Sequence, residues 1–167
     1  MTDEQFKNIT TFVFDVDGVM TDGSVHVLET GEHYRTYHIR DGYGIERAVK
    51  AGFRICVITG GNHEGMKKRM ANLKIHDVYT GSGGESKMKI YKRWLADTGI
   101  SEKNVLYMGD DFPDFEVMMR PKLLATCPSD ACDDVLLIAD YITTKGGGKG
   151  AVREIIEKVM KIQNKWY

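Results

Sequence analysis

The sequence has no apolar run near the roughly 18 residues that cross a bilayer, which excludes a membrane-spanning helix. Its opening stretch, MTDEQFKNIT, lacks both a basic n-region and an apolar h-region, so a cytoplasmic protein is the expectation. Neither charge is in excess: 23 Lys and Arg against 24 Asp and Glu leave a net charge of -1. That is too weak a field to hold nucleic acid or an anionic membrane, and any anionic ligand must be bound locally. Cysteine is scarce. Cys56, Cys127 and Cys132 are odd in number and form no CxxC, which argues against a disulfide framework and a zinc site and leaves buried free thiols. Repeats and low-complexity tracts are missing too, apart from the glycines Gly146 to Gly148.

What the chain does have is an ordinary globular composition, with 42% hydrophobic and 28% charged residues in 167. A chain of that length buries about 70% of its extended surface, enough for one core, so residues 1–167 are expected to form a single domain. Apolar runs alternate with segments of helical period, the pattern of a parallel sheet covered on both faces. Strands are expected at Thr11–Asp15, Gly52–Thr59 and Asn104–Met108, with shorter ones at His76–Tyr79, Leu123–Ala125 and Tyr141–Thr143. Helices are expected at Tyr43–Ala51, His63–Leu73, Ser86–Thr98 and Phe112–Met119. A last helix carries Val152, Ile155, Ile156, Val159 and Met160 on one stripe. Gly23 to His38 alternates around Glu-Thr-Gly and predicts a projecting β-hairpin.

Four polar clusters follow predicted strands or open a helix, where an open parallel sheet places its ligand crevice. The first is DVDGV with Asp15, Asp17 and Gly18, followed by Thr21 and Asp22. Two carboxylates so close together call for a cation or a shared proton, although DxDG by itself also reads as a turn. The second is Thr59-Gly60-Gly61, a hydroxyl beside amides at a helix start that can cradle an anion. The third, Gly81 to Lys87 (GSGGESK), lacks the GK[ST] order of a nucleotide-binding loop but brings Lys87 to a helix start. The fourth is GDDFPD, with Asp110, Asp111 and Asp114, a hard oxygen cluster suited to Mg²⁺. At least one of those three acids is expected to cap the helix that follows.

In this order on alternating strands and helices, the clusters resemble the haloacid dehalogenase superfamily of phosphatases over nearly the whole chain. The DVDGVMTDG opening, RDGYGI at Arg40 to Ile45 and the tail GGKGAVRE at Gly147 to Glu154 are similar to the capless phosphatases of 3-deoxy-D-manno-octulosonate 8-phosphate (KDO 8-phosphate). The resemblance implies an α/β, Rossmann-like doubly wound parallel sheet with a hairpin flap at about 23–38 and no cap domain. It also implies a C-terminal tail and helix at about 146–165. Asp15 would attack phosphorus to form an aspartyl phosphate, and Asp17 would act as acid and then base. Mg²⁺ would be held by Asp15, the Asp17 carbonyl and Asp110, with Asp111 and Asp114 behind them orienting metal waters and Lys87. Thr59, the Gly60 amide and Lys87 would stabilise the phosphoryl oxygens. The family works as a homotetramer whose flaps and tails complete neighbouring sites. A sugar carboxylate would meet Lys149 or Arg153, and Arg40, Asp41 and Gly61 would lie at the crevice mouth.

KDO 8-phosphate phosphatases often carry Arg directly after the Thr-Gly, where this chain has Gly61; Lys67, Lys68 and Arg69 on the following helix read first as a solvated basic face and second as cations that could replace it. The substrate expected is KDO 8-phosphate on the route to lipopolysaccharide precursors, with nine-carbon keto-sugar acid phosphates as the alternative. A phosphoacceptor receiver module uses similar residues, but it places its phosphorylated Asp on a middle strand, whereas here DxD comes first. A non-catalytic oligomerisation domain of this fold would have lost reactive groups. Asp15, Asp17, Thr59, Lys87 and Asp110 are all present.

Overall fold

The computed structural model describes residues 3–81 and 84–167. A short helix α1 (Glu4–Lys7) leads into strand β1 (Thr11–Phe14) and a two-stranded hairpin of β2 (His26–Val27) and β3 (His33–Tyr34). Then follow α2 (Ile39–Lys50), β4 (Arg54–Thr59), α3 (Glu64–Asn72), β5 (Asp77–Thr80) and α4 (Lys87–Thr98). The chain closes with β6 (Val105–Met108), α5 (Phe112–Met118), β7 (Leu124–Cys127), α6 (Asp133–Ile138), β8 (Tyr141–Ile142) and α7 (Ala151–Ile162).

The six-stranded sheet runs β5-β4-β1-β6-β7-β8 with every pairing parallel, as the unbroken apolar strands predict. All four residues of β1 are buried because both faces of the sheet are covered. Side chains alternate along a strand, so Phe12 and Phe14 join α2, α3 and α7 through Ile45, Met70 and Ile155. Val13 faces the opposite layer, with Trp94 of α4, Val117 of α5 and Val135 of α6. Cys56 and Cys127 are buried free thiols, and Cys132 is half-buried. Among the described residues, no insertion between the sheet strands builds a cap; the one excursion with strands of its own is the hairpin. Its Val27 and Tyr34 are 70% and 52% exposed.

Three elements differ most from expectation. Helix α2 starts at Ile39, four residues before the expected Tyr43, because Gly42 and Gly44 serve packing rather than a turn. A Cβ on Gly42 would lie 2.2 Å from Arg69 Nη2, and one on Gly44 would lie 3.1 Å from Arg153 Cδ of α7. Helices α1 and α6 were not expected: their four and six residues are too few to develop a period.

Candidate active site

Strand β1 pairs with β4 on one side and β6 on the other, and their C-terminal ends open the crevice expected at such a switch point. The Asp15 amide donates to Met108 O at 3.0 Å, which extends the ladder by one residue and fixes the Asp15 carboxylate at the strand end. Beyond it the DVDG loop turns tightly, with Met20 N and Thr21 N both donating to Val16 O. The fully buried Thr21 hydroxyl accepts from Gly18 N and Gly23 N at 3.3 Å each. Gly18 has a φ of +86°, and a Cβ there would fall 1.9 Å from Asp110 Oδ2, so only glycine lets the two acidic loops meet.

Asp15, Asp17, Thr59, Gly60, Gly61, Lys87, Asp110, Asp111 and Asp114 all line one crevice of about 350 Å³. Lys87, in the first turn of α4, places Nζ 2.9 Å from Asp15 Oδ2 and 2.8 Å from Asp114 Oδ1. Asp114 is fully buried and also accepts from the Tyr107 hydroxyl at 2.6 Å. Asp111 caps α5, its Oδ1 accepting from Phe112 N at 2.8 Å. Thr59 is buried and accepts from Gly61 N at 3.1 Å. Of the Gly81–Lys87 loop, Ser82 and Gly83 lie outside the described residues.

The charge balance of the crevice favours a cation. Burial, and then the charge of Asp114, raise the Asp15 pKa well above the usual carboxylate range against the opposing pull of Lys87. The same two causes push Asp110 up to about 7. For Lys87 burial disfavours the ammonium, but Asp15 and Asp114 outweigh it and the pKa is raised. Single oxygens of Asp15, Asp110 and Asp114 lie within 4.8 Å of one another, and Asp110 Oδ1 is buried with no hydrogen-bond partner. Asp114 is engaged at both oxygens, Oδ1 by Lys87 and Tyr107 and Oδ2 by Asp110 N, whereas Asp15 meets Lys87 through Oδ2 alone and Asp110 Oδ1 has no partner, so Asp15 and Asp110 are the carboxylates with an oxygen left for a metal. Hard oxygen donors with one orphaned buried atom fit Mg²⁺.

The remaining expected residues lie elsewhere. Arg40, Lys149 and Arg153 line a separate cavity of about 660 Å³ that contains none of the clustered acids. Placing Asp41 at the crevice mouth needs correcting: it is 2% exposed, inside the first turn of α2, and its Oδ1 accepts from Arg153 N at 2.7 Å. Arg153 is committed as well, with its guanidinium 4.4 Å from the Trp166 ring centroid and its Nε 2.8 Å from Glu157. Lys149 is exposed, 3.8 Å from Asp130. The glycines before it form no free tail, because a Cβ on Gly147 would lie 1.8 Å from Gly18 O of the same chain. Sequence reasoning missed two residues of the site. Tyr107 read as one more apolar strand residue, and Arg35, whose Nε donates to Asp17 Oδ1, read as one more polar hairpin residue.

No protein-family model matches the chain. The 3-deoxy-D-manno-octulosonate 8-phosphate phosphatase KdsC of Escherichia coli K12 is 35% identical over 159 residues, 95% of this chain and 83% of that protein. The solved 3-deoxy-D-manno-octulosonate 8-phosphate phosphatase of Yersinia pestis superposes with a TM-score of 0.91 at 33% identity, covering 98% of this chain and 86% of that one. That of Moraxella catarrhalis, solved with magnesium ion, phosphate ion and KDO, superposes with a TM-score of 0.92 at 30% identity over 99% and 95% of the two chains.

Proposed function

The chain belongs to the 3-deoxy-D-manno-octulosonate 8-phosphate phosphatase family of the haloacid dehalogenase superfamily, and from that premise we propose that it hydrolyses KDO 8-phosphate through an aspartyl-phosphate intermediate. The observation that carries this reading is the buried Asp15 carboxylate at the end of β1, held 2.9 Å from Lys87 within the acidic cluster. Asp15 attacks phosphorus while the bond to the sugar oxygen breaks, and Asp17 gives that oxygen its proton. Water then attacks the same phosphorus, Asp17 takes a proton back, and the acyl-phosphate bond breaks to free Asp15 and phosphate. Thr59, the Gly60 amide and Lys87 receive the phosphoryl oxygens, whose charge Lys87 matches best in the transition state. Asp114 holds Lys87 for that task, and Tyr107 holds Asp114. Asp15, Asp110 and the Asp17 carbonyl would hold Mg²⁺, which would supply the positive charge that lets an anionic nucleophile meet an anionic phosphate.

The reading extends to residues 1–167 as one phosphatase domain acting in the cytoplasm on the route to lipopolysaccharide precursors, as a homotetramer. The exposed Val25, Val27, Leu28 and Tyr34 support the assembly, since a two-stranded hairpin has too little core to stand alone. The cavity with Arg40 and Lys149 is then the face one chain offers to its neighbour's substrate, where a cation meets the sugar carboxylate. Phosphate release over a panel of sugar phosphates with Mg²⁺ tests the assignment. The expected order is KDO 8-phosphate first and nine-carbon keto-acid phosphates second; preference for a neutral hexose phosphate overturns it.

A further inference from the structure

Asp17 is held from behind. Its carboxylate lines the catalytic crevice, but the partner of its Oδ1 is Arg35 Nε, which reaches it from a second cavity lined by Arg35, Tyr37, His63, Lys68 and Arg69. Arg35 follows β3 directly, so it belongs to the hairpin and not to the sheet that builds the site. Its side chain is 11% exposed against 35% for Asp17, so the guanidinium is largely shielded while the carboxylate still reaches water. The hairpin also meets the start of α3 through His33, whose ring lies 4.9 Å from that of His63.

The two carboxylate oxygens of Asp17 are therefore not equivalent. Oδ1 accepts the guanidinium hydrogen bond and is held on the hairpin side. Oδ2 points the other way: a Cβ built on Gly61 would lie 3.5 Å from it and 3.4 Å from Thr59 Oγ1, beside the phosphate-binding turn. Because residue 61 is glycine, nothing from that turn reaches Asp17, and Arg35 is the one cation paired with it among the described residues.

We propose that Arg35 is a positioning residue for proton transfer: by fixing Oδ1 of Asp17 it turns Oδ2 toward the leaving oxygen and makes acid catalysis depend on docking of the hairpin. Arg35 is not among the residues that line the crevice, and its contact with the site runs through Asp17. The inference rests on the proposed acid–base role of Asp17. In the transfer Asp17 gives its proton to the sugar oxygen as the P–O bond breaks and becomes a carboxylate, which Arg35 stabilises where it stands.

The experiment compares KDO 8-phosphate with p-nitrophenyl phosphate, whose leaving group needs little protonation, in R35A, R35K, D17N and the R35A/D17N double variant. R35A is expected to lower kcat for the sugar phosphate by about 10-fold to 100-fold, within the range a general acid contributes, with little change in KM. The aryl ester should lose much less, R35K should recover most of the rate, and R35A should add nothing in the D17N background. Equal losses for both esters, a loss confined to KM, or additivity with D17N overturns the proposal. If D17N itself slows both esters equally, the acid–base reading of Asp17 fails and the positioning role fails with it.

Discussion

Lys87 Nζ stands 2.9 Å from Asp15 Oδ2, with the two side chains 10% and 9% exposed. So close a cation raises an apparent difficulty, since an ammonium on the nucleophile would also quench it. The second contact resolves this, because Asp114 takes the other side of Lys87 at 2.8 Å and shares its charge. Lys87 can then pass from Asp15 to a phosphoryl oxygen without losing its place.

The first prediction follows from that arrangement. Lys87→Met removes the donor aimed at the transferred phosphoryl group and should lower kcat/KM by about 10²-fold to 10³-fold for aryl and sugar phosphates alike, since both present the same group. Steady-state assays with the two esters check it, and a loss restricted to the sugar substrate would contradict the placement.

A second prediction concerns pH and metal. In the metal-free protein Asp110 has a folded pKa of about 7 against an ordinary 3.8, so the folded state binds the extra proton between those values. Stability from this group is therefore full at low pH and is lost as pH rises through about 7. Mg²⁺ binds the deprotonated carboxylates, so it should raise Tm more at pH 8 than at pH 5. Thermal melts with EDTA and with Mg²⁺ at the two pH values read this directly; an equal shift at both would contradict it.

A third prediction separates the glycine segment from a flexible tail. Gly147→Ala drives a methyl group into the Gly18 carbonyl behind the DVDG loop and should cost about 1–3 kcal/mol of stability, with a marked loss of activity. Gly65→Ala meets nothing within 4 Å in helix α3 and should be neutral or slightly stabilising. Denaturant midpoints of the two variants make the comparison, and equal midpoints would mean that Gly147 is not packed as described.

These contrasts also show which parts of the molecule were legible in the sequence. β1, β4 and β6 are buried on both faces, so their apolar runs and the polar residues that end them locate the crevice without help from the rest of the chain. Asp15, Thr59, Lys87 and Asp110 converge because each sits at a strand or helix end, and such ends can be read from local pattern. Arg40 and Asp41 could not be placed that way. The two glycines of RDGYGI look like loop residues until α7 and Arg69 are packed against them. Arg35 gave no local signal, because its partner lies 18 residues away and the hairpin pattern assigns it only a polar face.

The central claim is that phosphorus is bonded to Asp15 between two displacements, and the stereochemistry of the reaction tests it most directly. Each in-line displacement inverts phosphorus, so a phosphorothioate ester made chiral with one heavy oxygen isotope and hydrolysed in water of the third isotope reports how many occurred. The account predicts overall retention of configuration in the released thiophosphate, with no turnover by Asp15→Asn. Overall inversion would mean a single attack by water and would contradict it.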